Sequence, residues 1–201
     1  HSNNKTDEDV AYGIANGVGH FVCDNAEELY AVNRIAGEAG KKQKVLLRIT
    51  PGIDPHTYAA ISTGKVDSKF GSAIETGQAK EITAVALSLP NVELDGFHCH
   101  VGSQVFDADI YLRSSDVMLS FIADMKKELG YECKILDLGG GFGVRYIAAH
   151  PTVDIRKNIE SVGASIKAKC EALGITMPTI CFEPGRSIVA DAGVTIYTVG
   201  T

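Results

Sequence analysis

Thr179-Ile-Cys-Phe182-Glu183-Pro184-Gly185-Arg186 is the stretch whose reading decides the fold. Its first four residues form an apolar, strand-like run, after which the chain stops in an acid, a fixed turn and a guanidinium. Two earlier runs stop in the same manner. Gly96-Phe-His98-Cys-His100 passes into Val101-Gly102-Ser103, and Lys134-Ile-Leu-Asp-Leu138 passes into Gly139-Gly140-Gly141-Phe142-Gly143. Short apolar runs that each end in polar or glycine-rich residues predict one face shared by successive strand–helix units, with the chemistry on that face.

Around these runs the apolar period switches to that of helices. Thr6 is placed to cap a helix with Asp7, Glu8 and Asp9 in its first turn, where acids suit the helix dipole. His20-Phe-Val-Cys23 reads as a strand, and Asn25 with Glu28 has capping-box spacing ahead of Leu29, Val32 and Ala36. Val45-Leu-Leu-Arg48-Ile49 is the next strand. Helical stripes follow on Ile82, Val85, Ala86 and Leu89, then on Val117, Phe121, Met125 and Leu129, and last on Ile155, Ile159, Val162, Ile166 and Leu173. Strands alternating with helices predict a parallel α/β architecture. Five strands, with a strand-like stub at His1–Lys5, are too few to close an eight-stranded barrel, and no dinucleotide fingerprint supports a doubly wound sheet. The polar stretch from Thr50 to Ser72 has the length of a functional loop, such as a lid. Val194-Thr-Ile-Tyr-Thr-Val199 alternates as a strand does.

The balance of residues narrows the function. The chain has 201 residues, 45% of them hydrophobic, and a formal charge of −6, without the clustered Lys and Arg of a nucleic-acid footprint. No apolar run approaches the ~20 residues needed to cross a bilayer, and no basic segment precedes an apolar one as in an export signal. The 5 cysteines show no CxxC spacing, which fits a reducing cytoplasm better than a disulfide framework. The chain opens at His1 without a methionine and stops on an alternating run, so a piece of a longer protein is expected.

Several residues could carry chemistry. Glycines 139–141 let backbone N–H groups approach an anion, although a tight strand-to-helix turn needs the same residues. In His98-Cys99-His100 a period of two puts both imidazoles on one face, with Ser103 a hydroxyl donor beyond them. A metal site needs further ligands, and none stands at a telling spacing. Glu183 and Arg186 could form a plain surface ion pair. Held by Pro184-Gly185, they could instead keep a heteroaromatic nitrogen protonated and grip a carboxylate. Arg48 must be paired if it points inward. His56, Lys65 and Lys69 read as solvated.

Taken together, Asn3-Asn-Lys5, Arg48-Ile-Thr-Pro-Gly-Ile-Asp-Pro-His-Thr57, Ile61-Ser-Thr-Gly64, Ser68-Lys-Phe-Gly71, Gly96–Gln104, Leu136–Phe142 and Glu183–Val189 resemble the diaminopimelate decarboxylases. These are fold type III enzymes that use pyridoxal 5′-phosphate in bacterial lysine synthesis. The resemblance implies a partial (β/α)8 TIM barrel of the alanine racemase-like type over residues 1–190, lacking the first strands. Residues 191–201 would start the connection to a C-terminal β domain. It implies that His100 stacks on the cofactor ring, that Ser103, Gly139, Gly140 and Gly141 bind its phosphate, and that Glu183 bonds the pyridine nitrogen. Pro184 and Gly185 hold the phosphate-side turn, and Arg186 takes a substrate carboxylate. His100 and Glu183 are thereby the catalytic pair. The lysine that bonds the cofactor covalently belongs to the family's first strand, and Lys5 does not replace it. The full-length protein is then expected to be a cytoplasmic homodimer that decarboxylates a small amino acid. The strand-end motifs are shared with ornithine and arginine decarboxylases, and these, a racemase or a non-catalytic cofactor-binding homologue remain as alternatives.

Overall fold

The computed structural model describes residues 1–53 and 70–200. Strands β1 (His20–Cys23), β2 (Gln43–Thr50), β4 (Val92–His98), β5 (Ile135–Asp137) and β6 (Thr179–Cys181) lie side by side in chain order. Every pairing is parallel. A doubly wound sheet reverses its strand order at a switch point, whereas this one adds each new strand on the same side. With right-handed crossovers, that order puts the helices on one face and curls the sheet as a barrel wall does. Among the described residues β1 and β6 do not pair, so the wall is open.

Helices α2 (Ala26–Glu38), α3 (Gln78–Ser88), α4 (Asp109–Leu129) and α5 (Ile155–Leu173) make the crossovers, and α1 (Asp7–Ala15) precedes β1. Each helix touches the next one along, α1 on α2 and α4 on α5 among them. The core lies between helices and sheet, on Val45, Leu47, Phe97 and Leu136 from the strands and Val32, Met118, Leu119 and Ile166 from the helices. Burying each of these side chains is worth roughly 1.5–3 kcal/mol. Phe97 sits edge-on to both Phe121 and Tyr131, with ring centroids 5.1 and 5.6 Å away.

Thr6 caps α1 as expected, in a full capping box with Asp9. The box predicted at Asn25 and Glu28 is only half made. Asn25 accepts from the Glu28 N–H, but the Glu28 carboxylate turns to the Asp24 N–H at 2.6 Å and to Lys5 Nζ at 2.7 Å. A buried ammonium is the stronger claim on that carboxylate.

Two strand expectations are corrected. Residues 1–5 form no strand; Lys5 instead drives its amine inward onto the Ser2 and Val22 carbonyls and Glu28. Val194, Ile196, Tyr197 and Val199 also form no strand and are 83–94% exposed, since alternation yields a strand only where a neighbour supplies the ladder. A short strand the sequence did not reveal, β3 (Ser72–Ala73), pairs with the end of β2. The proposed lid, with His56, Lys65 and Lys69, falls largely on 54–69, outside the described residues.

Candidate active site at the carboxyl ends of the strands

Register builds the site. Arg48 on β2 pairs with His98 on β4, His98 with Asp137 on β5, and Asp137 with Cys181 on β6. Residues paired across parallel strands point to the same face, so Arg48, His98 and Asp137 form one polar rung. Two residues further along each strand, the next rung on that face brings His100, Gly139 and Glu183 together. Backbone bonds continue the ladder to this level: Cys99 N–H to Asp137 O at 2.8 Å, Leu138 N–H to Cys181 O at 3.0 Å, and Glu183 N–H to Gly139 O at 2.8 Å.

The glycines are needed for contact between backbones. A Cβ on Gly140 would stand 2.0 Å from the Glu183 carbonyl oxygen, and one on Gly141, at φ 95°, 2.0 Å from that of Gly102. Three strand ends are thus drawn closer than any side chain allows. The Gly139 N–H is spent on Asp137 Oδ1 at 2.8 Å and the Gly140 N–H on His100 Nδ1 at 3.3 Å. Of the three amides offered to an anion by the sequence, Gly141 keeps the one without a protein partner among the described residues. Tyr111 Oη donates to Gly140 O at 3.0 Å and stacks on Phe142, which locks the loop from the helix side.

Glu183 sits between two imidazoles. Its Oε1 lies 2.8 Å from His1 Nδ1 and its Oε2 lies 3.2 Å from His98 Nε2. Burial by itself would raise its pKa, but the hydrogen bond from His98 holds it below the ordinary carboxylate value. Burial pushes His100 down to about 4, helped by Arg48, so its ring is neutral at physiological pH. Burial raises Asp137, against the opposing hydrogen bond from the Gly139 N–H.

Arg48 is paired, as an inward charge must be. Asp24 meets it at 3.3 Å, and its guanidinium lies 4.5 Å over the Phe70 ring. Asp24 also accepts from the Gly71 N–H at 3.1 Å. The plain Glu183–Arg186 ion pair does not form: Arg186 donates to Tyr146 Oη at 2.9 Å, across a gap in sequence that hid the pairing. His1 and Tyr146 were likewise not picked out by sequence, because only the fold brings them to the rim.

His1, Arg48, Phe70, His100, Ser103, Gly140, Gly141, Glu183, Gly185 and Arg186 line one cavity of ≈ 410 Å³. Gly139 and Pro184 belong to the same two loops but do not line it. A second cavity, of ≈ 440 Å³, lies beside α2 and α3 between Asp24, Gly71, Ser72 and Ile82.

The model of the pyridoxal-dependent decarboxylase family, pyridoxal binding domain, matches residues 1–190. The chain belongs to this family. It is 39% identical over its whole length to the diaminopimelate decarboxylase of Staphylococcus aureus (strain COL), and spans 46% of that protein. Among solved structures it resembles the diaminopimelate decarboxylase of M. jannaschii, with a TM-score of 0.81 and 35% identity, over 94% of this chain and 43% of that one. The Helicobacter pylori diaminopimelate decarboxylase, solved with L-lysine, matches at the same TM-score of 0.81 with 28% identity, over 94% of this chain and 45% of that one. The chain therefore spans about half the length of the relatives it matches. The resemblance first read from the strand-end motifs, and the partial parallel barrel it implied, agree with these matches.

Proposed function

We propose that this chain is the cofactor-holding part of a diaminopimelate decarboxylase, whose full-length form converts meso-2,6-diaminopimelate to L-lysine and carbon dioxide. The observation that carries this reading is the meeting of His100, Gly140, Gly141, Glu183 and Arg186 on one cavity at the ends of β4, β5 and β6. In this reading residues 1–190 are the incomplete barrel, and 191–201 lead towards a C-terminal β domain. In this reading the full-length protein works as a cytoplasmic homodimer. Among the described residues no helix is long and apolar enough to cross a membrane.

The residues fit pyridoxal 5′-phosphate. The cavity wall is a cradle that a Cβ at Gly140 or Gly141 would obstruct, and it combines hydroxyl and amide donors, a neutral flat imidazole and an ionised carboxylate. When bound, this cofactor supplies a protonated pyridine ring that takes up the electrons left by departing carbon dioxide.

The chain's own residues prepare that chemistry. Ser103 and the Gly141 N–H hold the phosphate, while Gly139, Gly140, Pro184 and Gly185 bring the two loops close enough for them to do so. Neutral His100 offers its ring face, fixed by the bond from the Gly140 N–H. Glu183 stays ionised and keeps a proton on the pyridine nitrogen. Arg186, steadied by Tyr146, receives a substrate carboxylate through its planar fork.

Offering the full-length protein pyridoxal 5′-phosphate with diaminopimelate, ornithine or arginine in parallel tests the reading. Carbon dioxide and lysine formed from diaminopimelate alone are expected. Release from ornithine or arginine but not from diaminopimelate would overturn the substrate assignment, and racemised substrate without release would overturn the reaction.

A further inference from the structure

His98 has no part in the scheme above, yet it is fully buried directly beneath Glu183. Its Nε2 lies 3.2 Å from Glu183 Oε2, and its Nδ1 is buried with no hydrogen-bond partner among the described residues. A proton on Nδ1 would be a buried donor without an acceptor, whereas one on Nε2 meets the Glu183 carboxylate in a charge-assisted bond, so the ring's proton belongs on Nε2. That makes His98 a donor to the carboxylate. The same geometry argues against a metal here. His1, His98 and Glu183 do bring ligand atoms within 4.8 Å of one another. An ion on Nε2 would drive the His98 proton onto Nδ1, where nothing receives it.

We infer that His98 is a positioning residue for the carboxylate that serves the pyridine nitrogen. Its Nε2–H pins Oε2 of Glu183, fixes the plane of the carboxylate and favours its ionised form. Oε1, met among the described residues by the partly exposed His1, is left for the ring nitrogen. Arg48 and His100 also face Glu183 with favourable or neutral character, and Asp137 faces it with an opposing charge. Among the described residues, His98 and His1 lie within hydrogen-bonding distance of the carboxylate oxygens, and the amino group of His1 adds a favourable charge. The inference rests on the pyridoxal phosphate reading, and its test separates the two.

Pyridoxal phosphate is titrated into the full-length apoprotein across pH 4–8 for the wild type, His98→Leu, His98→Gln, Glu183→Gln and the double variant His98→Leu/Glu183→Gln. Circular dichroism checks folding in each. His98→Leu is expected to weaken binding about tenfold and to move the acid limb of the binding curve up by about one pH unit, because the carboxylate loses its donor. His98→Gln, which can still donate, restores most of both. In the Glu183→Gln background, His98→Leu adds less than about twofold. Wild-type affinity and an unmoved acid limb in His98→Leu would overturn the inference, as would an equal loss in the Glu183→Gln background. Absence of binding by the wild type would sink the cofactor reading instead. A second measurement needs no cofactor and no apolar variant: nitrogen NMR of wild-type His98, assigned by its loss in His98→Gln. A proton on Nε2 alone is expected, and a proton on Nδ1 overturns the inference.

Discussion

The backbone of Gly140 passes so near Glu183 that a Cβ on the glycine would stand 2.0 Å from the Glu183 carbonyl oxygen. Glu183 and the glycine loop are therefore tied by one backbone contact, between the ends of β5 and β6. Gly140→Ala is expected to lower stability by about 2–3 kcal/mol through forced separation of the two strands. Gly163, on the outer helix α5, has nothing within 4 Å of a built Cβ. Gly163→Ala should gain about 0.5–1 kcal/mol from helix propensity. Urea melts of both variants check the pair, and equal behaviour would contradict the tight approach.

Lys5 is a structural cation. It meets Glu28 at 2.7 Å, with side chains 7% and 5% exposed, while Glu28 also holds the Asp24 N–H that orients the partner of Arg48. Lys5→Met leaves a buried carboxylate unpaired and should cost about 3 kcal/mol. Chemical denaturation measures it. A cost under about 0.5 kcal/mol would show the pair to be dispensable.

At the opposite end of the sheet, Asp95 gathers Lys134 at 2.7 Å, His20 at 2.9 Å and Lys44 at 3.4 Å. Burial by itself would raise its pKa, but the bonds from Lys134 and His20 outweigh this and hold it at about 2, below the ordinary 3.8. A folded value below the unfolded one means stability that is present above about pH 4 and lost as the pH falls towards 2. Lys134 and Lys44 reach in from solvent, so the contribution is roughly 1–2 kcal/mol. Asp95→Asn should flatten the stability profile across that window in acid titrations of the melting temperature, and an unchanged slope would contradict the assignment.

Most thiols are out of reach. Burial pushes Cys23, Cys99 and Cys133 up to about 12, and Cys170 is buried on α5. Cys181 is the one cysteine that is not fully buried. Native protein treated with a thiol reagent near pH 8 should therefore label first at Cys181, as peptide mapping would show. Early labelling at Cys99 would mean that the His98–His100 strand end opens in solution.

The sequence made the rim legible because a period of two, read along three strands, fixes which residues share a face. His100, Gly139 and Glu183 are grouped by that period alone, and the pairing of Arg48 follows from its place in an apolar strand. What stayed hidden lies across the sheet or the rim. His1 and His98 meet at Glu183, Tyr146 meets Arg186, and Lys5 takes Glu28 from the helix cap, and no spacing in the chain encodes these meetings. The stretch 194–199 misled for the complementary reason: alternation signals a strand only when a neighbouring ladder exists.

A crystal structure of the full-length protein with pyridoxal 5′-phosphate bound tests the central assignment most directly. The pyridine nitrogen should lie about 3 Å from a carboxylate oxygen of Glu183, with the phosphate at Ser103 and Gly141 and the ring against His100. A ring nitrogen turned away from Glu183, or a phosphate held elsewhere, would contradict the account.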